Sequence, residues 1–598
     1  MVKRSVPGNI IRRALAVVLA GTLTVSLFGC KTETKEQKAQ RQFDEYCDEL
    51  FKDVLGDDVL SVHYKLADPE KFGVEVKDYT LGDFSVEEIE KSEKEVDGVI
   101  EKLNGFNPEL LTQRQQLSLK TLKAYFEQQA EYDGLSMIQN MFGSNSGLIA
   151  NLPTNFIEYV FDDEQDVKEY LDLIKDTKRY VDQVLDFTKK QAEEGRFMAS
   201  FCAQDNIDMC NKYLDEEVNP LLASFEEKIA ELDIDETKKK EYIAANEQYV
   251  NDYYNEAYKA VISVLSELMQ GETNDKGLYY VDGGKELYTA IVHDKTSTQM
   301  TPEAVIKLLD SELESVLTEY ATLYYSDETL AAQETNLDTG MSEPKEILEY
   351  LSEKCTSEFP EPYTKDFVVE YQSKATEVEG TVAYYLSARL DQLDYNSIKV
   401  NGSAVEGDDV QLYTTLAHEG FPGHLYQYTS VYNNEEIPNV LKLVDFIGFT
   451  EGYAQYASDR SYRMLGCSEE LSQMCAIDEM FGYILQSRVD LGVNYEGWGV
   501  DDVSGYLNDY INDEDGSTAQ SIYETVISDP GLLLPYTVGH IKMIKLREKA
   551  ERKLGDSFDA KEFHQLILDT GIVPFEIMEE ELDNYCLLYT SPSPRDCS

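Results

Sequence analysis

The sequence is short of basic residues. Lysine and arginine together number 53 against 114 aspartates and glutamates, so the 598-residue chain carries a formal net charge of −61. A nucleic-acid-binding protein neutralises phosphates with clustered lysine and arginine, and this chain has no such surplus. The balance therefore excludes a nucleic-acid partner and is typical of an exported protein that its charge keeps soluble and dispersed.

Cysteine motifs and serine-nucleophile motifs are also missing. The nine cysteines include no C-x-x-C pair and no spacing typical of a small disulfide-linked domain. The nucleophile motif G-x-S-x-G is absent. We therefore expect mostly free, buried cysteines, with Cys467 and Cys475 the pair to check first for a disulfide.

Histidine is scarce, and its distribution is informative. Two of the six histidines lie in the motif H-E-G-F-P-G-H, which runs from His418 to His424. Imidazole ligands beside a carboxylate base are the composition of a divalent-metal site that activates water. The preceding residues have apolar side chains at helical spacing, which predicts that His418 and Glu419 lie near the end of a helix.

The spacing of these two histidines is unusual. They are six residues apart, about 240° on a regular helix, whereas H-E-x-x-H places them four apart on one face. Pro422 and Gly423 can break the helix and bring His424 back towards His418. The alternative is an ordinary helix end at which His424 caps a carbonyl, and the spacing alone leaves both interpretations open.

A second motif favours the metal. The stretch 449–457, F-T-E-G-Y-A-Q-Y-A, predicts an amphipathic helix with Glu451, Gln455 and Ser458 on one face. A carboxylate from a neighbouring helix is the usual third ligand beside two histidines. By itself Glu451 would be a solvated surface glutamate, but the two motifs together favour a metal site.

The paired motifs resemble the HExxPGH and EGWA-like signatures of the domain-of-unknown-function 885 family. Its members are bacterial, often lipid-anchored, largely helical proteins regarded as zinc metallopeptidases of gluzincin type. Further blocks resemble the family at 284–288, 298–303, 488–492, 536–539 and 558–574, so the similarity extends to about residue 585. Three positions depart from the family pattern: Leu425 replaces a frequent second histidine, Tyr453 a tryptophan, and Asn494 a histidine. Of these, Asn494 would mean altered substrate contacts or lower activity.

The resemblance and the helical patterning together predict a mainly α, elongated multi-helix metallopeptidase-like architecture with a small β element near the metal site. Residues 367–371 and 398–400 have strand-like sequences, and we expect them to form a small sheet beside the metal helix. Such a sheet edge could bind an extended peptide by main-chain pairing.

The N-terminus predicts export. Residues 1–30 combine a basic start with an apolar stretch that is short for a membrane span, and they end in L-F-G-C, which resembles a bacterial lipobox. Cys30 would then carry the lipid anchor, although a chance cysteine after an ordinary signal peptide is the alternative. Localisation at the outer face of the bacterial cell membrane follows from this prediction.

We predict the following division of the chain: a lipoprotein signal peptide at 1–30, a tether at 31–40, an N-terminal helical region at 41–280 and a metal-binding region at 281–585. Residues 586–598 resemble translated sequencing-adapter sequence, and we exclude them from functional reasoning.

Other side chains are candidates for chemistry. Tyr536 or His540 could stabilise an oxyanion, although a core tyrosine is an equal alternative for Tyr536. Arg488 could bind a substrate carboxylate, or it could pair within the protein. Structural roles are predicted for Arg547 and His564, whereas His63 and His293 show no partner pattern.

The sequence thus predicts an extracytoplasmic zinc-dependent peptidase acting on peptides. His418, His424 and Glu451 would hold Zn²⁺, and Glu419 would take the proton of the attacking water. The peptide substrate class rests on the family resemblance. The alternatives are a metal-dependent hydrolase of another amide or ester, and a non-catalytic lipoprotein that binds peptides or glycans around a structural metal.

Overall fold

The computed structural model describes residues 33–56, 58–76, 79–327, 329–372, 377, 381–404 and 409–590. Helices dominate these ranges and the strands form one small sheet, which confirms the predicted mainly α class with a small β element. The predicted signal peptide with Cys30, and residues 591–598 of the predicted adapter-derived tail, lie outside the described residues.

The described chain divides into two compact units. The first comprises the chain up to Thr273 together with the segment Glu435–Val444, and the second comprises Asn274–Asn434 and the chain from Asp445 onwards. The sequence prediction differs in detail, because it divides the chain after residue 280 and assigns 435–444 to the second region.

The first unit is built from eleven α-helices within its described ranges. They are α1 (Lys35–Gly56), α2 (Val59–Lys65), α3 (Pro69–Phe72), α4 (Val86–Asn104), α5 (Gln113–Ala130), α6 (Leu148–Ile157), α7 (Glu164–Glu193), α8 (Ser200–Asp215), α9 (Pro220–Glu231), α10 (Glu236–Tyr249) and α11 (Asn255–Leu268). A π-helical turn at Val250–Tyr254 joins α10 to α11.

Helix α1 corrects the predicted tether. It begins at Lys35, inside the stretch 31–40 that we predicted to be a tether. Thr34 and Gln37 satisfy each other's backbone N–H groups at its start, with N–O distances of 3.1 and 3.2 Å. Residues 35–40 are also strong helix formers, so the polar stretch extends the helix rather than linking to it.

Helix α7 shows how an amphipathic helix contributes to the core. Its N-cap is Asp163, which forms a capping box with Asp166. One face of the helix is buried along its whole length and includes Tyr170, Ile174, Val181, Val184 and Thr188. Gly195 follows the helix with a φ of +70°, a conformation that favours glycine.

The second unit holds the remaining helices of the described chain. They are α12 (Gly284–Thr296), α13 (Pro302–Ser326), α14 (Leu330–Thr335), α15 (Pro344–Lys354), α16 (Asp409–Glu419), α17 (His424–Asn433), α18 (Ile447–Met464), α19 (Glu469–Leu491), α20 (Val500–Asn508), α21 (Ser517–Ser528), α22 (Leu534–Leu554), α23 (Ala560–Thr570) and α24 (Phe575–Thr590). Helix α24 continues to Thr590, past residue 585, at which the predicted metal-binding region ends.

The sheet lies in the second unit. Its strands are β1 (Val368–Gln372), β2 (Ala383–Leu386) and β3 (Ser397–Asn401), in the order β1-β3-β2. β3 pairs in parallel with β1 and antiparallel with β2. β1 and β3 lie where the sequence predicts strands, and β2, which it does not predict, packs against α16.

The cysteines follow the prediction. No disulfide joins any pair of the cysteines within the described ranges, and most of these side chains are buried. Cys467 and Cys475, the pair singled out in the sequence, are not bonded to each other.

Candidate metal centre

The H-E-G-F-P-G-H motif breaks a helix, as the sequence predicts. Helix α16 ends at Glu419 and α17 begins at His424. Between them the chain turns so tightly that the backbone N–H of Gly423 donates to the carbonyl of Ala417 at 3.0 Å. A Cβ on Gly423 would lie 1.8 Å from the carbonyl oxygen of His418, so only glycine fits this turn.

The second motif lies on α18, which packs closely against α22. A Cβ on Gly452 would lie 2.2 Å from the carbonyl carbon of Gly539, because the two backbones touch at these glycines. α18 also packs against α16. The close approach of α18 and α22 explains why the residue after Glu451 is a glycine. The two contacts of α18 together bring α16, α18 and α22 to one place.

The three predicted ligands converge on one centre. The Nε2 atoms of His418 and His424 are 3.1 Å apart, and each lies 3.3 Å from Oε2 of Glu451. All three side chains are buried.

This set of atoms has the spacing that a zinc ion needs. In a tetrahedral site with bonds of about 2.0–2.1 Å, neighbouring ligand atoms lie about 3.3 Å apart. Among the described residues, no fourth histidine, cysteine or acidic side chain completes the group. Two imidazoles and one carboxylate are the donor set of catalytic zinc sites, in which the fourth position takes water or substrate.

Glu419 is held beside this group by the sheet. Its Oε2 accepts a hydrogen bond from the backbone N–H of Tyr385 at 3.0 Å, and its Oε1 lies 3.9 Å from Nε2 of His418. Tyr385 belongs to β2. The carboxylate is therefore anchored next to the three ligand atoms without joining them, which is the arrangement expected of a general base.

Of the two residues predicted to stabilise an oxyanion, Tyr536 lies beside His418, whereas His540 pairs with Asp459. The ring of Tyr536 lies 6.3 Å from that of His418, with the ring planes at 25°. The ring of Tyr483, on α19, lies 6.2 Å from that of Tyr536. One turn further along α22, Nε2 of His540 lies 2.5 Å from Oδ2 of Asp459.

A further, partly buried carboxyl group lies on α19. Glu479 accepts a hydrogen bond from Nε2 of Gln455 at 3.0 Å. Burial raises the pKa of Glu479, and the neighbouring carboxylate of Asp459 adds to the shift. Gln455 and Asp459 follow Glu451 at intervals of four residues, so one face of α18 carries all three side chains.

Arg488 makes contacts within the protein. Its Nε lies 3.0 Å from Oδ1 of Asp310, its Nη2 lies 2.8 Å from Oε2 of Glu496, and its guanidinium lies 4.5 Å from the ring centre of Trp498. These are the structural pairings that we considered as the alternative. Substrate binding by Arg488 stays a prediction.

The remaining histidines have other surroundings. His564 is hydrogen-bonded on both sides, to the carbonyl of Glu358 at 2.9 Å and to the hydroxyl of Tyr456 at 2.8 Å, and burial lowers its pKa to about 3. Arg547 donates to the same hydroxyl at 2.7 Å. His63 accepts a hydrogen bond from the backbone N–H of Val160 at 3.1 Å. His564 and Arg547 thus have the structural surroundings predicted for them.

Asn494, which replaces a histidine of the family pattern, is tied into the fold. Its amide donates to Oδ1 of Asp490 at 2.9 Å and to the carbonyl of Val526 at 2.8 Å. Its own oxygen accepts from the backbone N–H of Leu278 at 3.1 Å. The donor and acceptor groups of the Asn494 amide therefore both serve to hold these three segments of the fold together.

Three residues at the site escaped the sequence analysis. They are Tyr385, Asp459 and Glu479. Asp459 carried a signal, because it lies eight residues after Glu451 on the same helix face, but solvated helix aspartates have the same spacing. Tyr385 acts through its backbone, which no side-chain motif can indicate.

Fold and site together define a class of protein: a mainly helical chain in which a broken helix and a second helix present two imidazoles and a carboxylate at one buried centre. Residues 69–582 match the model of a family described as bacterial protein of unknown function (DUF885), and the chain belongs to this family. No curated protein matches the chain.

Two solved structures have a similar fold. One, described as a putative lipoprotein from Colwellia psychrerythraea, is 17% identical with a TM-score of 0.78, and the match covers 93% of this chain and 100% of that one. The other is described as a putative lipoprotein of unknown function from Shewanella oneidensis. It is 14% identical with a TM-score of 0.57, and the match covers 90% of this chain and 98% of that one.

Within the described ranges, none of the helices combines the length and the apolar character needed to cross a bilayer.

Proposed function

We propose that the protein is a zinc-dependent peptidase. The observation that carries the proposal is the convergence of Nε2 of His418, Nε2 of His424 and Oε2 of Glu451 within 3.1–3.3 Å of one another, with the carboxylate of Glu419 alongside. His418, His424 and Glu451 would hold the ion. When bound, Zn²⁺ supplies Lewis acidity that activates water and polarises a carbonyl.

The protein's own groups carry the proton and the charge. Glu419 accepts a proton from the attacking water and delivers it to the amine that leaves. The backbone N–H of Tyr385 keeps one oxygen of Glu419 in place, since it donates to Oε2 at 3.0 Å. Tyr536, whose ring lies 6.3 Å from that of His418, is the group that donates a hydrogen bond to the developing oxyanion.

Peptides are the substrates that the sheet favours. β2 pairs with β3 on one side, and the N–H of Tyr385 points away from β3 to Glu419. This edge therefore faces the base, and an extended peptide can add as a further strand through main-chain groups other than the Tyr385 N–H, which Glu419 occupies. Peptide recognition through β2 rests on this geometry and on the family resemblance.

Anchoring to the outer face of the bacterial membrane completes the proposal. The L-F-G-C motif supplies Cys30 for lipid attachment. The two solved structures of similar fold, which are described as putative lipoproteins, support this localisation.

The substitution Glu419→Gln tests the proposal. The amide cannot accept a proton, so hydrolysis of a mixed peptide pool should fall by about 10²–10⁴-fold while the zinc content stays that of the parent. Glu470→Gln, an exposed position in the first turn of α19, is the matched control and should retain full activity. Hydrolysis by Glu419→Gln at the parent rate would contradict the assigned base.

A further inference from the structure

A pair of titratable side chains, His540 buried and Asp459 partly buried, joins α18 to α22 beyond the predicted ligands. Asp459 lies two helical turns after Glu451 on α18, and His540 lies one turn after Tyr536 on α22. The Nε2 atom of His540 is 2.5 Å from Oδ2 of Asp459, and the His540 side chain is buried. A hydrogen bond between an imidazole and a carboxylate is among the more directional contacts available to side chains.

The pair acts where the two helices have little freedom to shift. The backbones of Gly452 and Gly539 touch, since a Cβ on Gly452 would lie 2.2 Å from the carbonyl carbon of Gly539. Gly539 is the residue before His540. The glycine contact fixes how closely the helices approach, and the bond from His540 to Asp459 fixes how α22 is rotated and shifted along α18.

Two further polar bridges tie α19 into the same arrangement. The amide of Gln455 on α18 donates to Glu479 on α19 at 3.0 Å. The hydroxyl of Ser487 on α19 lies 2.7 Å from that of Thr537 on α22. Tyr536 is thus carried by a helix that is linked by side-chain hydrogen bonds to both of its neighbours.

We propose that Asp459 and His540 are positioning residues, which hold Tyr536 over His418 by fixing α22 against α18. This inference rests on the proposed function, in which the Tyr536 hydroxyl stabilises the oxyanion. The role of His540 thereby changes from a candidate oxyanion stabiliser to a positioning residue. Its Nε2 is bonded to Asp459, so His540 affects the reaction only through the position of Tyr536. A misplacement of a reacting group by about 1 Å can cost about 10²-fold in rate, so such a bond has a large effect on turnover.

The pair is poorly suited to a purely stabilising role. Among the described residues, Nδ1 of His540 and Oδ1 of Asp459 are buried with no hydrogen-bond partner. Buried polar atoms without partners cost stability, and an apolar pair of similar volume would avoid that cost. The bond is therefore better explained by the geometry that it imposes on α22.

A double-mutant cycle tests the proposal. His540→Leu cannot donate to Asp459, whereas His540→Gln can place an amide N–H near the position of Nε2. On a peptide that the parent cleaves, His540→Leu should lower kcat about 10–100-fold with little change in KM, and His540→Gln should restore most of the loss. In a Tyr536→Phe background, His540→Leu should cost less than about threefold, because the group that it positions is gone.

Equal losses from His540→Leu in the presence and absence of the Tyr536 hydroxyl would overturn the proposal, since His540 would then act independently of Tyr536. Failure of His540→Gln to restore activity would overturn it as well. Asp459→Asn provides a second variant on the partner side, and it should likewise lose its effect in the Tyr536→Phe background.

The position of Tyr536 can also be measured without turnover. With 3-fluorotyrosine at position 536, the parent should give one sharp ¹⁹F resonance, His540→Gln should match it, and His540→Leu should shift or broaden it. An unchanged resonance in His540→Leu would contradict the positioning role. A parent that shows the expected ¹⁹F behaviour but cleaves no peptide would refute the proposed function and leave the positioning intact.

Discussion

Asp490, in the last turn of α19, joins three separate segments through one carboxyl group. Oδ1 accepts hydrogen bonds from the Tyr288 hydroxyl at 2.7 Å and the Asn494 amide at 2.9 Å, and Oδ2 accepts from the backbone N–H of Gly531 at 2.6 Å. Burial raises its pKa from 3.8 to about 7 despite these three donors. Desolvation of the charged form thus outweighs hydrogen bonding at this residue.

This raised pKa predicts a pH dependence of stability. Between about pH 4 and pH 7 the folded state retains the Asp490 proton that the unfolded state has released, so the free energy of unfolding contributed by this group falls as the pH rises through that window. Asp490→Asn cannot titrate and should show a shallower decline in urea unfolding across the window. It should also be about 1–3 kcal/mol less stable, because its amide nitrogen cannot accept from Gly531. Parallel pH profiles for the two proteins would contradict this assignment.

At the scale of residues, the sequence indicates side chains whose chemistry is uncommon. His418, His424 and Glu451 could be predicted because few histidines occur and two motifs carry metal-ligand types. Asp459 could not be assigned, since its partner His540 lies 81 positions away and an aspartate on a helix is usually solvated. Helix packing, which the sequence pattern does not specify, decides such pairs.

The contact between α18 and α22 gives a prediction at the scale of elements. Gly452→Ala places a methyl group against the backbone of Gly539, so the helices must separate, and stability should fall by about 1–3 kcal/mol. Gly482→Ala on α19 is the matched control, because a Cβ there meets nothing within 4 Å. The control should be neutral or stabilising by up to about 1 kcal/mol, since alanine favours helix over glycine.

Thermal or urea unfolding distinguishes these outcomes. If the two alanine variants unfolded at the same urea concentration, the close approach of α18 and α22 would not be a constraint on residue 452.

Helix ends can be predicted from the sequence where a cap marks them. Thr301 caps α13 before Pro302, and Asp559 caps α23, which ends before Gly571. β2 was missed because A-Y-Y-L is short and lacks an alternating pattern. Its strand conformation comes from pairing with β3, which is a tertiary contact.

At the scale of the whole molecule, chain order and spatial grouping differ. The segment Glu435–Val444 belongs to the first unit, although the helices before and after it, α17 and α18, belong to the second. Its apolar side chains are buried, among them Ile437, Val440 and Leu443. Nothing in its composition distinguishes it from a loop of the second unit, so sequence patterning could not reveal this excursion.

Lipid attachment gives a prediction for the intact protein. In the bacterial cell, Cys30→Ser should move the protein from the membrane fraction to the soluble exported fraction, because it removes the sulfur to which we propose that the lipid is attached. Cys467→Ser, at a partly exposed free cysteine outside the motif, should stay with the membrane. A membrane-associated Cys30→Ser protein would contradict anchoring through this residue.

His418, His424 and Glu451 are proposed to bind one divalent ion together. Elemental analysis of the purified mature protein, after dialysis against buffer containing zinc, measures how many ions each chain retains. We predict about one zinc per chain in the parent and in Glu419→Gln, and substantially less than one when Glu451 is replaced by alanine. A parent that retains no zinc, or a Glu451→Ala protein that retains as much as the parent, would show that these three residues do not form the metal site.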